Sequence, residues 1–175
     1  NRGYAFRLTL DHSHVIFKID NPEEQKIFDI DKKINEGKLI LDPFKVGNIC
    51  DRWIQENYVN HMHARSTIPN NPKNINAKHP DGSIGRGIQY PFLEPLPEEY
   101  HEKWDEKLLE PWKEVVRSII NYHYTNKSSP LGQITTEFIP FTDYGTGAKY
   151  SIFNNNVKCA KWIREIINET KLKDK

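Results

Sequence analysis

The chain has 175 residues, enough for one domain with a sizeable core. Lys and Arg number 25 against 24 Asp and Glu, a net charge of +1, and no basic stripe forms outside the Lys171–Lys175 tail. That balance argues against nucleic acid or an anionic membrane as the main partner. No apolar run reaches the length of a membrane span, and the opening NRGYAFRLTL lacks the apolar core of a signal peptide.

The two cysteines, Cys50 and Cys159, fall in helix-like segments, which argues against a disulfide framework and fits a reducing cytoplasm. The chain opens on Asn rather than Met, as a fragment would. The first predicted element is a strand near residues 6–11, in the run AFRLTLDHSHVIF, whose apolar stretch ends at Asp11. Asn21-Pro22 is a cap followed by proline at the first helical position, so a helix is predicted from there to about Asn35. Asp42-Pro43 repeats that opening. Phe44, Val46, Ile49, Cys50, Trp53 and Ile54 follow at roughly helical spacing, which predicts a helix over 42–57.

A strand is predicted at 57–64. In the stretch YVNHMHARS, period-two alternation puts Val59, His61, His63 and Arg65 on one face. Residues 66–97, rich in Asn, Pro and Gly, read as a long loop of the kind that carries function. The run 97–124 reads as an amphipathic helix kinked or restarted at Pro111, with Trp104 and Trp112 in its core face. A short apolar strand bearing one acid, Glu137, is predicted at 132–138, followed by the loop YGTGAKYS. A closing helix over 152–171 carries Val157, Cys159, Ala160, Ile163, Ile166 and Ile167 on its core face.

Strands alternating with helices indicate βαβ units, a parallel sheet and an α/β fold. In such sheets function gathers at the carboxyl ends of the strands. Each predicted strand ends in ligand-type residues: Asp11 with His14, His61 with His63 and Arg65, and Glu137. Carboxylate oxygens with imidazole nitrogen suit a divalent ion such as Mn²⁺, Mg²⁺, Co²⁺ or Zn²⁺. Each residue also has a structural reading. Asp11 could cap the next helix, His14 could be a satisfied half-buried histidine, and His61 and His63 could line a polar sheet face. Glu137 sits between ITT and FIP, where an acid is costly unless paired or bound to metal.

The stretches RLTLDHSH, HMHAR, GRGIQYP and TTEFIP occur in the order seen in the xylose-isomerase-like TIM-barrel superfamily of sugar and sugar-phosphate isomerases and epimerases, which the chain resembles from about residue 5 to 167. The resemblance implies that Asp11, His61 and Glu137 bind metal, with Glu137 also catalytic in proton transfer. It implies that His14, His63, Arg65 and Gln89 contact substrate. It places the three strands as six, seven and eight of a (β/α)8 barrel, so that residues 1–175 form a single partial TIM-barrel domain of about three βα units with outer helices. The strands bearing a fourth ligand and a partner glutamate are then missing, and Asn1–Gly3 reads as a remnant of the segment after that glutamate.

The implied activity is metal-dependent proton transfer beside a sugar carbonyl, with Arg65 suited to a substrate phosphate or carboxylate. Sugar-acid dehydratases share the superfamily. The alternative is a non-catalytic or split half-barrel that pairs with another chain or binds a ligand. Either way the exposed strand edges imply a need for the other half-barrel or for self-association.

Overall fold

The computed structural model describes residues 6–173; Asn1–Gly3 and the last two lysine-tail residues lie outside them. Three parallel strands, β1 (Leu8–Asp11), β2 (Val59–Ala64) and β5 (Gln133–Thr136), form an open sheet in the order β1-β2-β5. Asp11 pairs with His63 and His63 with Thr135, so all three carboxyl ends lie on one side. The α/β class and the parallel sheet match the expectation, and the described strands do not close into a barrel.

The helices are shorter than the apolar spacing predicts. After β1 a single turn, α1 (Ser13–Ile16), leads to α2 (Pro22–Ile27), where the Asn21 side chain accepts from Glu24 N. The helix expected to reach Asn35 breaks at Asp29, whose φ of 52° no helix holds, and restarts as α3 (Asp31–Asn35). The helix expected over 42–57 is only α4 (Ile49–Gln55). Asp42 Oδ1 accepts from Phe44 N and Gly47 takes a φ of 80°, so the segment before it is turns, and Asn48 caps α4 by accepting from Asp51 N. Val46, which the sequence puts at helical spacing, is 97% exposed, and Phe44 is exposed as well.

The long loop holds a small antiparallel hairpin, β3 (Asn74–Lys78) with β4 (Ile84–Gly85). Residues 97–105 are not helical. A 3-10 turn at Glu106–Leu109 leads into α5 (Glu110–Thr125), and Pro111 sits in the first turn, starting the helix rather than kinking it. The last helix, α6 (Ile152–Lys173), matches its prediction, though Val157 is exposed while Cys159 and Ile163 are buried.

Leu10, Val59, Met62 and Ala64 join Trp112, Val116, Ile120, Cys159 and Ile163 in one core between the sheet and α5 and α6. Val59 therefore leaves the face shared by His61 and His63. A register irregularity places Leu8 opposite Val59 but Thr9 opposite His61, and that bulge turns Val59 inward. The other sheet face carries Thr9, His61, His63 and Thr135 and contributes nothing to the core.

His12 lies fully buried against Trp112, ring centroids 5.0 Å apart, and its Nε2 donates to the Trp112 carbonyl at 3.2 Å. Burial pushes its pKa down to about 4. The native state keeps this ring neutral while the unfolded chain protonates it near the ordinary histidine value. Stability should therefore fall as pH drops from about 6.5 toward 4, by ~3 kcal/mol from this group. Urea midpoints across that range check this, and His12→Asn should flatten the slope by that share.

Candidate metal centre

Parallel register decides which side chains meet. Asp11, His63 and Glu137 each offer one ligand atom within 4.8 Å of the other two. Asp11 ends β1, His63 lies directly across from it on β2, and Glu137 follows β5, with its N–H donating to Ala64 O. His61 belongs to the row below, where its Nε2 lies 2.9 Å from Thr135 Oγ1 and its Nδ1 3.4 Å from Thr9 Oγ1. The expected set is Asp11, His61 and Glu137; the ligand-type atoms that come together are those of Asp11, His63 and Glu137, with His61 one row below. The two imidazoles touch edge to face, 4.7 Å between centroids, so His61 supports the ring of His63.

Asp11 holds the turn after β1 with one oxygen and faces the cluster with the other. Its Oδ1 accepts from Ser13 N at 3.2 Å and Ser13 Oγ at 2.5 Å, fixing the turn into α1, while Oδ2 pairs with Arg65 Nη2. Glu137 is asymmetric as well. Its Oε2 lies 2.9 Å from His63 Nδ1 and 3.3 Å from Arg65 Nη1, and no described residue donates to Oε1. Its side chain keeps 30% exposure, so the acid expected within a buried run stands at the rim.

Arg65 is the buried centre of the cluster, 2% exposed. Its two Nη atoms reach Asp11 and Glu137, Nε lies 3.4 Å from Ser13 Oγ, and the guanidinium stacks 4.1 Å from the Tyr144 ring centroid. A buried guanidinium is tolerable only when its donors are matched in this way. The two carboxylates outnumber the one guanidinium between them. That excess and the oxygen–nitrogen–oxygen donor set fit a hard or borderline divalent cation, with remaining positions open to water or substrate.

His14 borders the cluster, its Nε2 3.5 Å from Asp11 Oδ2, 3.4 Å from Arg65 Nη2 and 3.3 Å from the Tyr144 hydroxyl. Burial lowers its pKa, Asp11 opposes that shift, and Arg65, Lys18 and Arg86 add to it. Burial raises the pKa of the Tyr144 hydroxyl as well.

Gln89, expected to contact substrate, is 3% exposed and fully used by the fold. Its Oε1 accepts from Ile139 N at 2.9 Å and its Nε2 donates to the Tyr150 hydroxyl at 3.2 Å. It reaches the site only through the loop that carries Tyr144. The glycines of GRGIQYP act alike: a Cβ on Gly85 would overlap Thr142 O in that loop, and one on Gly87 would overlap Pro72 O. Tyr144 and Ser13 are the site residues that sequence reasoning missed. Ser13 was legible as an oxygen donor two residues after Asp11, whereas nothing local marked Tyr144.

Comparison of the chain with models of known families, with curated proteins and with solved structures found no match. No helix among the described residues is long and apolar enough to cross a membrane.

Proposed function

We propose that the chain is the three-strand portion of a (β/α)8 barrel whose strand ends hold a divalent ion and carry out proton transfer next to the carbonyl of a sugar or sugar phosphate. The observation that carries this reading is the meeting of Asp11, His63 and Glu137 at three parallel strand ends. A bound divalent ion would supply Lewis-acid polarisation of the substrate carbonyl and neighbouring hydroxyl. Asp11, His63 and Glu137 would hold it.

The chain's own residues supply the rest. Glu137 has one oxygen fixed by His63 and Arg65, which leaves Oε1 to take the proton from the carbon beside the carbonyl. Arg65 keeps two carboxylates together that would otherwise repel. Returning the proton on the opposite face requires a second acid, which the cluster does not contain.

A completing partner has its own support. Beside the free edge of β5, a groove of about 500 Å³ runs between α5 and α6, lined by Ile120, Leu131, Ile134, Ile163 and Ile167. It has the form that a further parallel strand and its amphipathic helix would fill, from the other half-barrel or a second copy. The non-catalytic half-barrel remains the rival reading, and the same groove favours it. The test is NMR detection of solvent deuterium entering the carbon beside the carbonyl of aldoses and ketoses, with Mn²⁺ or Mg²⁺ present. Metal-dependent exchange supports the enzyme; its absence with the partner in place supports the pairing domain.

A further inference from the structure

The groove beside β5 carries a charge pattern as well as an apolar floor. Arg164 stands in its wall, and no aspartate or glutamate lines it. The acids of the neighbouring helix, Glu110 and Glu114, are taken by Lys113 and Arg117 instead, which leaves exposed Arg164 without an ion pair among the described residues. Lys171, two turns further along α6, lies with its Nζ 5.5 Å from the ring centroid of Tyr124, and Tyr124 lines the groove. Two cations therefore rim one end.

α6 continues the pattern beyond the groove. Phe153, Val157, Ala160, Arg164, Ile167 and Lys171 recur at alternating intervals of four and three residues, the spacing that sets side chains on one helix face. Phe153 is 74% exposed and Val157 37%. The face is apolar at its start and cationic toward its end, a stripe of ~27 Å at the rise of a helix. An amphipathic helix lies along such a face with its apolar side chains in the groove. The α6 of a second copy would set the same cations against these and bring no acid, because Glu165 and Glu169 fall outside that spacing. A flat lipid surface would reach Phe153 and leave a floor recessed between two helices unfilled.

We propose that α6 and the groove seat an acidic amphipathic helix of another protein chain. Its apolar side chains pack on Phe153, Val157 and the isoleucine floor, and its carboxylates meet Arg164 and Lys171. This rests on reading the groove as a partner's seat, and it names the chemistry of that partner.

Two dye-labelled peptides of about 18 residues, long enough to follow the stripe, test it by fluorescence anisotropy with the 175-residue chain. They share a leucine face; one carries glutamate and the other lysine at the remaining positions. The glutamate peptide should bind at least about tenfold more tightly at low salt, as charge-assisted contacts do, and salt should shrink the difference. Arg164→Gln with Lys171→Gln should abolish the preference, with circular dichroism as the control for folding, and Phe153→Ser should weaken both peptides. Equal binding of the two peptides, a preference that survives the double variant, or no binding of either overturns the proposal. Self-association in sedimentation, or flotation with phosphatidylserine vesicles, that Phe153→Ser abolishes gives the face to a second copy or to a membrane and overturns it too. Mn²⁺ titration keeps the metal reading separate. Lost peptide binding with Mn²⁺ binding intact removes this proposal alone, whereas absent Mn²⁺ binding with the peptide preference intact removes only the metal centre.

Discussion

Arg65→Met should cost the fold about 3 kcal/mol, the low end of what breaking a buried ion pair costs, because Glu137 keeps 30% exposure. Methionine fills similar space and removes both charge and hydrogen bonds, leaving Asp11 and Glu137 to repel across a half-buried gap. Asp11 loses a partner on Oδ2, and Tyr144 loses the guanidinium beneath its ring. Urea denaturation measures the loss. Two further results follow from the same cluster. Millimolar Mn²⁺ should restore part of the stability, since a cation replaces the missing charge, and Glu137→Gln added to Arg65→Met should restore part without metal. A loss below ~1 kcal/mol, the worth of an exposed pair, would show that the guanidinium is a surface ion and not the centre of the site.

Glu137→Gln should lower proton exchange in the complete assembly by at least ~100-fold, the low end of what a positioned acid–base group contributes. Glutamine keeps the shape and can still accept from Arg65 Nη1, so the fold should persist with its unfolding midpoint little changed. What disappears is the basicity of Oε1, together with one anionic ligand for a cation. Deuterium incorporation followed by NMR, with circular dichroism as the control for folding, separates chemistry from collapse. A variant that exchanges at near the wild-type rate removes Glu137 from the reaction.

The three strands and the last helix could be read from the sequence because their patterns are local. Leu8–Asp11, Val59–Ala64 and Gln133–Thr136 are short apolar or alternating runs bounded by polar residues, and α6 carries a sustained helical stripe. Residues 42–48 and 97–105 misled because apolar residues happened to recur at helical spacing. At 42–48 the decision lay with the side chain of Asp42 and the positive φ of Gly47. The NINAK strand of the hairpin carries too few apolar residues to announce itself.

The site divides in the same way. Asp11 and Glu137 were legible as acids at strand ends. Choosing His63 over His61 required the register between β1 and β2, a property of two strands 50 residues apart in the chain that a bulge shifts. Arg65 read as an anion binder because sequence shows what its fork fits and not which carboxylates reach it first. Tyr144 arrives on a loop held by Gln89, Asn74 and the close approach of Gly85, all long-range contacts.

Mn²⁺ titration of the purified chain, followed by electron paramagnetic resonance, tests the cluster most directly. One bound ion per chain is predicted, weakened by at least about 100-fold in His63→Ala and in Asp11→Asn, since losing a ligand should exceed the 10–100-fold cost of losing a supporting contact. His61→Ala should stay within about tenfold of wild type, as a supporting ring would. No saturable binding, or binding that survives His63→Ala and vanishes in His61→Ala, would contradict the assignment.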